Sequence, residues 1–151
     1  MQRNKIISYA QIIARLLLAG MLIFAGILKV QDNSALFETV AYITWLPLGL
    51  KSLTIDLLPW VEIMVGFFLL TFMFDKITLP VNALIYLTFF IFAIYGFSTG
   101  IEGDCGCFGD LDDDSLAGML LGSSFGWTMT IRNGIFVAMA GFLFWNPNKH
   151  R

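Results

Sequence analysis

Residues 77–97 read ITLPVNALIYLTFFIFAIYGF, with no charged side chain anywhere in the run. A helix needs roughly 20 apolar residues to cross the hydrocarbon core of a bilayer, and this stretch is long enough. Three further stretches meet the same requirement: about Ile6–Leu28 with Arg15 inside it, about Leu53–Phe74 with Pro59 and Glu62 near its start, and about Thr128–Trp145 with Arg132 and Asn133 near its start. The expected fold is a single all-α domain over residues 1–151, an integral membrane four-helix bundle.

The rest of the composition agrees. Apolar residues make up 58% of the 151 and charged residues 13%, and mean hydropathy is +0.78. Soluble domains carry about 25% charged residues. So few charges cannot cover a water-facing surface, and the partner implied is the lipid bilayer. Basic residues are too few and scattered for nucleic-acid binding. The single histidine, His150, lies in the C-terminal tail, which removes most histidine-based metal and acid–base chemistry. Met1–Lys5 is basic like the start of a signal peptide. The following stretch, however, contains Arg15, and Lys29 stands where a small-residue cleavage site belongs. It reads as a retained helix.

Two segments leave the membrane on one side, residues 29–52 and 98–127. In the first, Leu36, Phe37, Val40, Ile43 and Thr44 recur at helical spacing, and Trp45 and Pro47 follow. That pattern predicts an amphipathic helix at the interface. Asp75-Lys76 reads as a tight turn that makes the second and third spans antiparallel neighbours. Pro59 is placed in the first turn of its helix, where proline is tolerated.

Orientation follows from Lys and Arg. Arg3 and Lys5 lie at one terminus, Lys149 and Arg151 at the other, and Lys76 in the short turn. The stretch from Thr99 to Trp127 has no Lys or Arg and holds six of the eleven acids. Both termini are therefore expected in the cytoplasm, with this acidic loop outside.

Glu102-Gly103-Asp104-Cys105-Gly106-Cys107-Phe108-Gly109-Asp110 contains the only two cysteines. An extracytoplasmic compartment is oxidising, and disulfides persist there. A bridge across one residue closes a very small ring, and Gly106 tolerates the backbone angles it demands. Strained disulfides are the more oxidising, labile ones. So short a loop constrains the unfolded chain only weakly. The pair thus suits accepting electrons from another thiol. A static crosslink, a metal site and two idle thiols remain alternatives, although no further cysteine or nearby histidine is present to complete a metal site.

Charges within spans are costly and are functional candidates. Arg15, Leu22 and Lys29 are seven apart and share one face of the first helix. Glu62 has three candidate partners, Lys29, Arg15 and Arg132, either as a structural cluster or as a binding site. Phe67, Phe68, Phe89, Phe90, Phe92 and Tyr95 read as lipid-facing or core filler. Trp45, Trp60, Trp127 and Trp145 read as interfacial anchors.

Several of these residues together resemble the MauE branch of the DoxX-like membrane proteins. The first span has Arg15, Phe24-Ala25-Gly26 and Lys29. The second has Pro59, Glu62 and Gly66. The loop has Cys105-Gly106-Cys107-Phe108-Gly109, and the fourth span opens on Arg132-Asn133. The resemblance implies a four-helix bundle in the bacterial inner membrane, linked to forming or transferring disulfides in a periplasmic enzyme subunit. It is similar to quinone-linked oxidases, which carry two cysteine pairs where this chain has one. The function it implies is a thiol–disulfide oxidoreductase with Cys105 and Cys107 as the catalytic, redox-active pair. An extracytoplasmic thioredoxin-like or other thiol protein would be the partner, and a membrane quinone the cofactor, held near Arg15, Glu62, Arg132 and Lys29, with no metal. The alternatives are a non-enzymatic membrane subunit with a structural disulfide, and a small-molecule or lipid carrier using the charged cluster. A membrane-impermeant thiol reagent applied to intact cells after mild reduction should label Cys105; labelling only after permeabilisation would reverse the topology.

Overall fold

The computed structural model describes residues 2–100 and 127–145. They form five helices: α1 Gln2–Gln31, α2 Ser34–Ala41, α3 Leu48–Thr71, α4 Asp75–Thr99 and α5 Trp127–Trp145. α1, α3, α4 and α5 are each long and apolar enough to cross a membrane. The expected all-α, multi-pass membrane architecture holds. Residues 101–126, which include Cys105 and Cys107, lie outside the described residues.

α1 shows how the bundle is sorted. Gln11, Ala14, Arg15, Leu18, Ala19, Leu22, Ala25, Gly26 and Lys29 are buried, which is the three-and-four spacing of one helix face. Between them Ile13, Leu17 and Ile27 are 57%, 54% and 43% exposed. Such apolar exposure suits lipid, not water. Arg15, Leu22 and Lys29 share one face, as their spacing predicted, and it is the interior face.

α1 packs most extensively on α3, and α4 on α5. Glycine sets the first contact. A Cβ on Gly26 would stand 2.8 Å from the Pro59 carbonyl oxygen and 2.6 Å from Ile63 Cγ1; one on Gly66 would stand 2.9 Å from the Ala19 carbonyl oxygen. Each glycine lets one helix backbone lie against the other. On the other side, Gly134 of α5 faces the Phe90 ring of α4, and the Phe97 and Trp127 rings meet with centroids 5.0 Å apart. That contact puts the end of α4 and the start of α5 side by side. We call this the loop end of the bundle, because residues 101–126 leave and return there.

Three local expectations are corrected. Pro59 is not in the first turn, because α3 begins at Leu48, directly after Pro47. Pro47 sets the start, and Pro59 sits mid-helix, where neighbouring helices in a membrane compensate for its missing N–H. The tight turn is Phe72-Met73-Phe74, not Asp75-Lys76. Asp75 opens α4, where a carboxylate suits the positive end of the helix dipole. Phe72 and Phe74 adopt left-handed φ values of 56° and 54°, which is uncommon outside glycine. α3 and α4 are therefore antiparallel as expected, though each finds its main packing partner elsewhere. We call this opposite extremity the turn end.

The predicted interfacial helix is α2, shorter than expected. Its buried side is Leu36, Thr39 and Val40, whereas Phe37 is 62% exposed. Ile43, Thr44 and Trp45 lie beyond its end. Asp32 accepts a hydrogen bond from the Ser34 backbone N–H at 2.9 Å. The Ser34 hydroxyl and that N–H together hold the Asp32 carboxyl below its usual range. This contribution is present near neutral pH and is lost as the pH falls through the lowered value.

Gly66→Val should lower the melting temperature in detergent by the equivalent of roughly 1–3 kcal/mol of overpacking, because its Cβ would meet the Ala19 carbonyl. Gly20→Ala, whose Cβ would meet nothing within 4 Å, should leave melting unchanged or raised.

Candidate functional site

The site is built on the contact that glycine permits. Where Gly26 lies on α3, Glu62 Cβ would be 3.3 Å from a Cβ on Gly26. Glu62 therefore enters the interior directly beside α1. Lys29, one turn further along the buried face of α1, reaches it. Lys29 Nζ donates to Glu62 Oε1 at 2.5 Å, and both side chains are 0% exposed. The ammonium also lies 4.8 Å from the centroid of the Phe89 ring, a favourable placement for a desolvated cation. Glu62 Oε2 has no hydrogen-bond partner.

A second ion pair closes the turn end. Arg15 Nη2 donates to Asp75 Oδ1 at 2.6 Å, and its guanidinium lies 4.3 Å from the Phe72 ring centroid. Fourteen residues separate Arg15 from Lys29, about 21 Å of helix. The four charged residues grouped by sequence are thus not one cluster. Lys29 and Glu62 come together, and Arg15 belongs to another clamp. Of the three candidate partners for Glu62, the interior selects Lys29.

Arg132 lies on α5 beside the loop end. With Thr128, Ile131, Ile135 and Phe136 it lines an open groove of about 320 Å³. Five residues separate Arg132 from Trp127, about 8 Å down the helix. The groove is an apolar trough with one guanidinium in its wall.

Tyr86 and Asn82 escaped the sequence reading, and Asn133 entered it only beside Arg132 at the start of the fourth span. Tyr86, 1% exposed, donates its hydroxyl to the Leu18 carbonyl at 2.7 Å and packs on Phe136 with ring centroids 5.4 Å apart. Asn82 and Asn133 are 0% and 1% exposed. Asn82 and Tyr86 are four residues apart in the charge-free span, a spacing that was available as a signal. Asp75 was read as part of a turn and proved to be Arg15's partner. Among the described residues, no group of three or more His, Cys, Asp or Glu could hold a metal ion.

The buried pair has a measurable signature. Removing one partner of a buried ion pair typically costs about 3–5 kcal/mol, while replacing both by apolar groups is often neutral. Lys29→Met should therefore sharply lower the melting temperature in detergent, and Lys29→Met/Glu62→Leu should recover most of the loss. A double variant no more stable than the single would show that the pair is not a self-contained clamp.

The family model described as "Methylamine utilisation protein MauE" matches residues 7–146, a range that takes in α1 from Ile7 onward and all of α2 to α5. The chain has no significant match among curated proteins or among solved structures. With its four membrane-length helices and a match over nearly all of its length, this chain belongs to the MauE family.

Proposed function

We propose that this MauE-family membrane protein is a thiol–disulfide oxidoreductase that passes electrons from an extracytoplasmic dithiol protein to a membrane quinone. The observation that carries the proposal is the groove at Arg132, whose lining begins at Thr128, beside the Phe97–Trp127 contact at the loop end of the bundle. Cys105 stands five residues beyond Gly100, a tether of at most about 18 Å. Arg132 is only about 8 Å below Trp127 along α5. The cysteines are thus within chain reach of the groove.

The steps on the chain's own residues balance. A thiolate of the partner attacks one sulfur of the Cys105–Cys107 disulfide and forms a mixed disulfide. The partner's second thiolate then attacks its own bridged sulfur. The partner leaves oxidised, and Cys105 and Cys107 are left as two thiols. A bound quinone would accept the two electrons and two protons released when those thiols close again. The walls of Ile131, Ile135 and Phe136 suit a ring, and the Arg132 guanidinium suits a carbonyl oxygen that gains negative charge. Arg15 is excluded from this role by its distance, and Lys29 and Glu62 neutralise each other. The family's description points to methylamine utilisation as the setting. The partner would be a thioredoxin-like or other thiol protein. In this reading the protein sits in the bacterial inner membrane, as the family resemblance implies, with both termini cytoplasmic, which the distribution of Lys and Arg supports.

Quinone reduction by a reduced thioredoxin-like protein should proceed with the wild-type protein in nanodiscs and be abolished in Cys107→Ser, whose remaining Cys105 thiol should trap a mixed disulfide only when the partner is supplied in its disulfide form. Equal rates in the two would sink the oxidoreductase reading and favour a structural disulfide. Arg132→Gln should raise the KM for quinone about tenfold, the loss of one charge-assisted hydrogen bond.

A further inference from the structure

α4 carries no charge beyond Lys76, yet polar side chains recur along its buried stripe. Asp75, Thr78, Asn82 and Tyr86 stand three or four residues apart, a spacing that stacks side chains on one helix face. Thr78, Asn82 and Tyr86 are all buried. Thr78 donates to the Met73 carbonyl and Tyr86 to the Leu18 carbonyl. Asn82 has neither: both Nδ2 and Oδ1 lack a hydrogen-bond partner, so exchanging the two ends of the amide changes nothing. Arg15 Nη1 and Glu62 Oε2 are in the same condition.

These orphaned atoms follow one another through the bundle. Arg15 and Asp75 stand at the turn end. Asn82 lies two helical turns above Asp75, and Tyr86 one turn above that. The Phe89 ring lies 6.5 Å from the Tyr86 ring and 4.8 Å from Lys29 Nζ, and Lys29 holds Glu62, which makes Glu62 next in order. An amide buried in hydrocarbon with no partner is strongly unfavourable. Interior waters making two to four hydrogen bonds each are the usual remedy.

We propose that this file of side chains holds water and forms a hydrated path from the turn end, through Asn82, to the Glu62 carboxylate. Such a path carries a proton between water and carboxylate, with no electron moved. It reaches Glu62 from the side opposite the cysteine loop. Glu62 is faced by Lys29 from α1 and by Tyr86 from α4. On α5 the polar side chains nearest that level are Asn133 and Arg132, within about a turn on the loop side. The one acid of α2, Glu38, is exposed. The path does not depend on thiol or quinone chemistry.

Brief X-ray hydroxyl-radical labelling of the protein in lipid nanodiscs reads buried water directly. After correction for intrinsic reactivity, Tyr86 should be labelled roughly tenfold more than Leu22, which is equally buried but apolar. Asn82→Leu should remove most of the Tyr86 label, and Asn133→Leu should leave it unchanged. Tyr86 labelled no more than Leu22 in the wild type would overturn the path without any variant. A label that survives Asn82→Leu, or that disappears in Asn133→Leu, would overturn its course from the turn end.

Discussion

A lysine and a glutamate face each other in the middle of a protein whose outer surface is hydrocarbon-loving. Neither the Lys29 nor the Glu62 side chain has any exposure. Two charges so placed are tolerable only as a pair, with further stabilisation close by. The ammonium receives it from the Phe89 ring. The pair demands that α1 and α3 lie close together, and Gly26 and Gly66 permit that approach. The close approach, the side chains that fill it and the bridge itself are one construction.

The Arg15–Asp75 bridge repeats the arrangement at the turn end, again with an aromatic ring over the cation. Phe72 supplies that ring from a left-handed backbone position. α1 thus carries a cation toward each end of its buried face, one held by α3 and one by the start of α4. Lipid offers little driving force to press helices together. Close backbone packing, buried hydrogen bonds and ion pairs do more of that work here than in a water-soluble bundle. Tyr86, bonded to the Leu18 carbonyl, ties α4 to α1 between the two bridges.

Lys29, Glu62, Arg15 and Asp75 are matched and hold helices. Arg132 lines a groove near the start of α5. Grouping Arg15, Glu62, Arg132 and Lys29 as one binding set was natural from sequence, because each is a charged residue within an apolar span. Helical rise separates Arg15 from Lys29 by about 21 Å, and that distance divides the set.

The number of spans, the apolar exterior and the shared face of Arg15, Leu22 and Lys29 were legible in the sequence, because hydrophobic length and helical spacing are local properties. So were the existence of α2 and the family pattern. Helix starts were less legible. Pro59 looked like a start because proline is tolerated in a helix's first turn, while the apolar run from Leu48 carried the helix through it. Which charge meets which was beyond the sequence, although the four-residue spacing of Asn82 and Tyr86 was visible in it. Pairing depends on which helix faces which, and on where a glycine lets two backbones close. Residues 33 or 60 positions apart, such as Lys29 with Glu62 and Arg15 with Asp75, meet only when the bundle has formed.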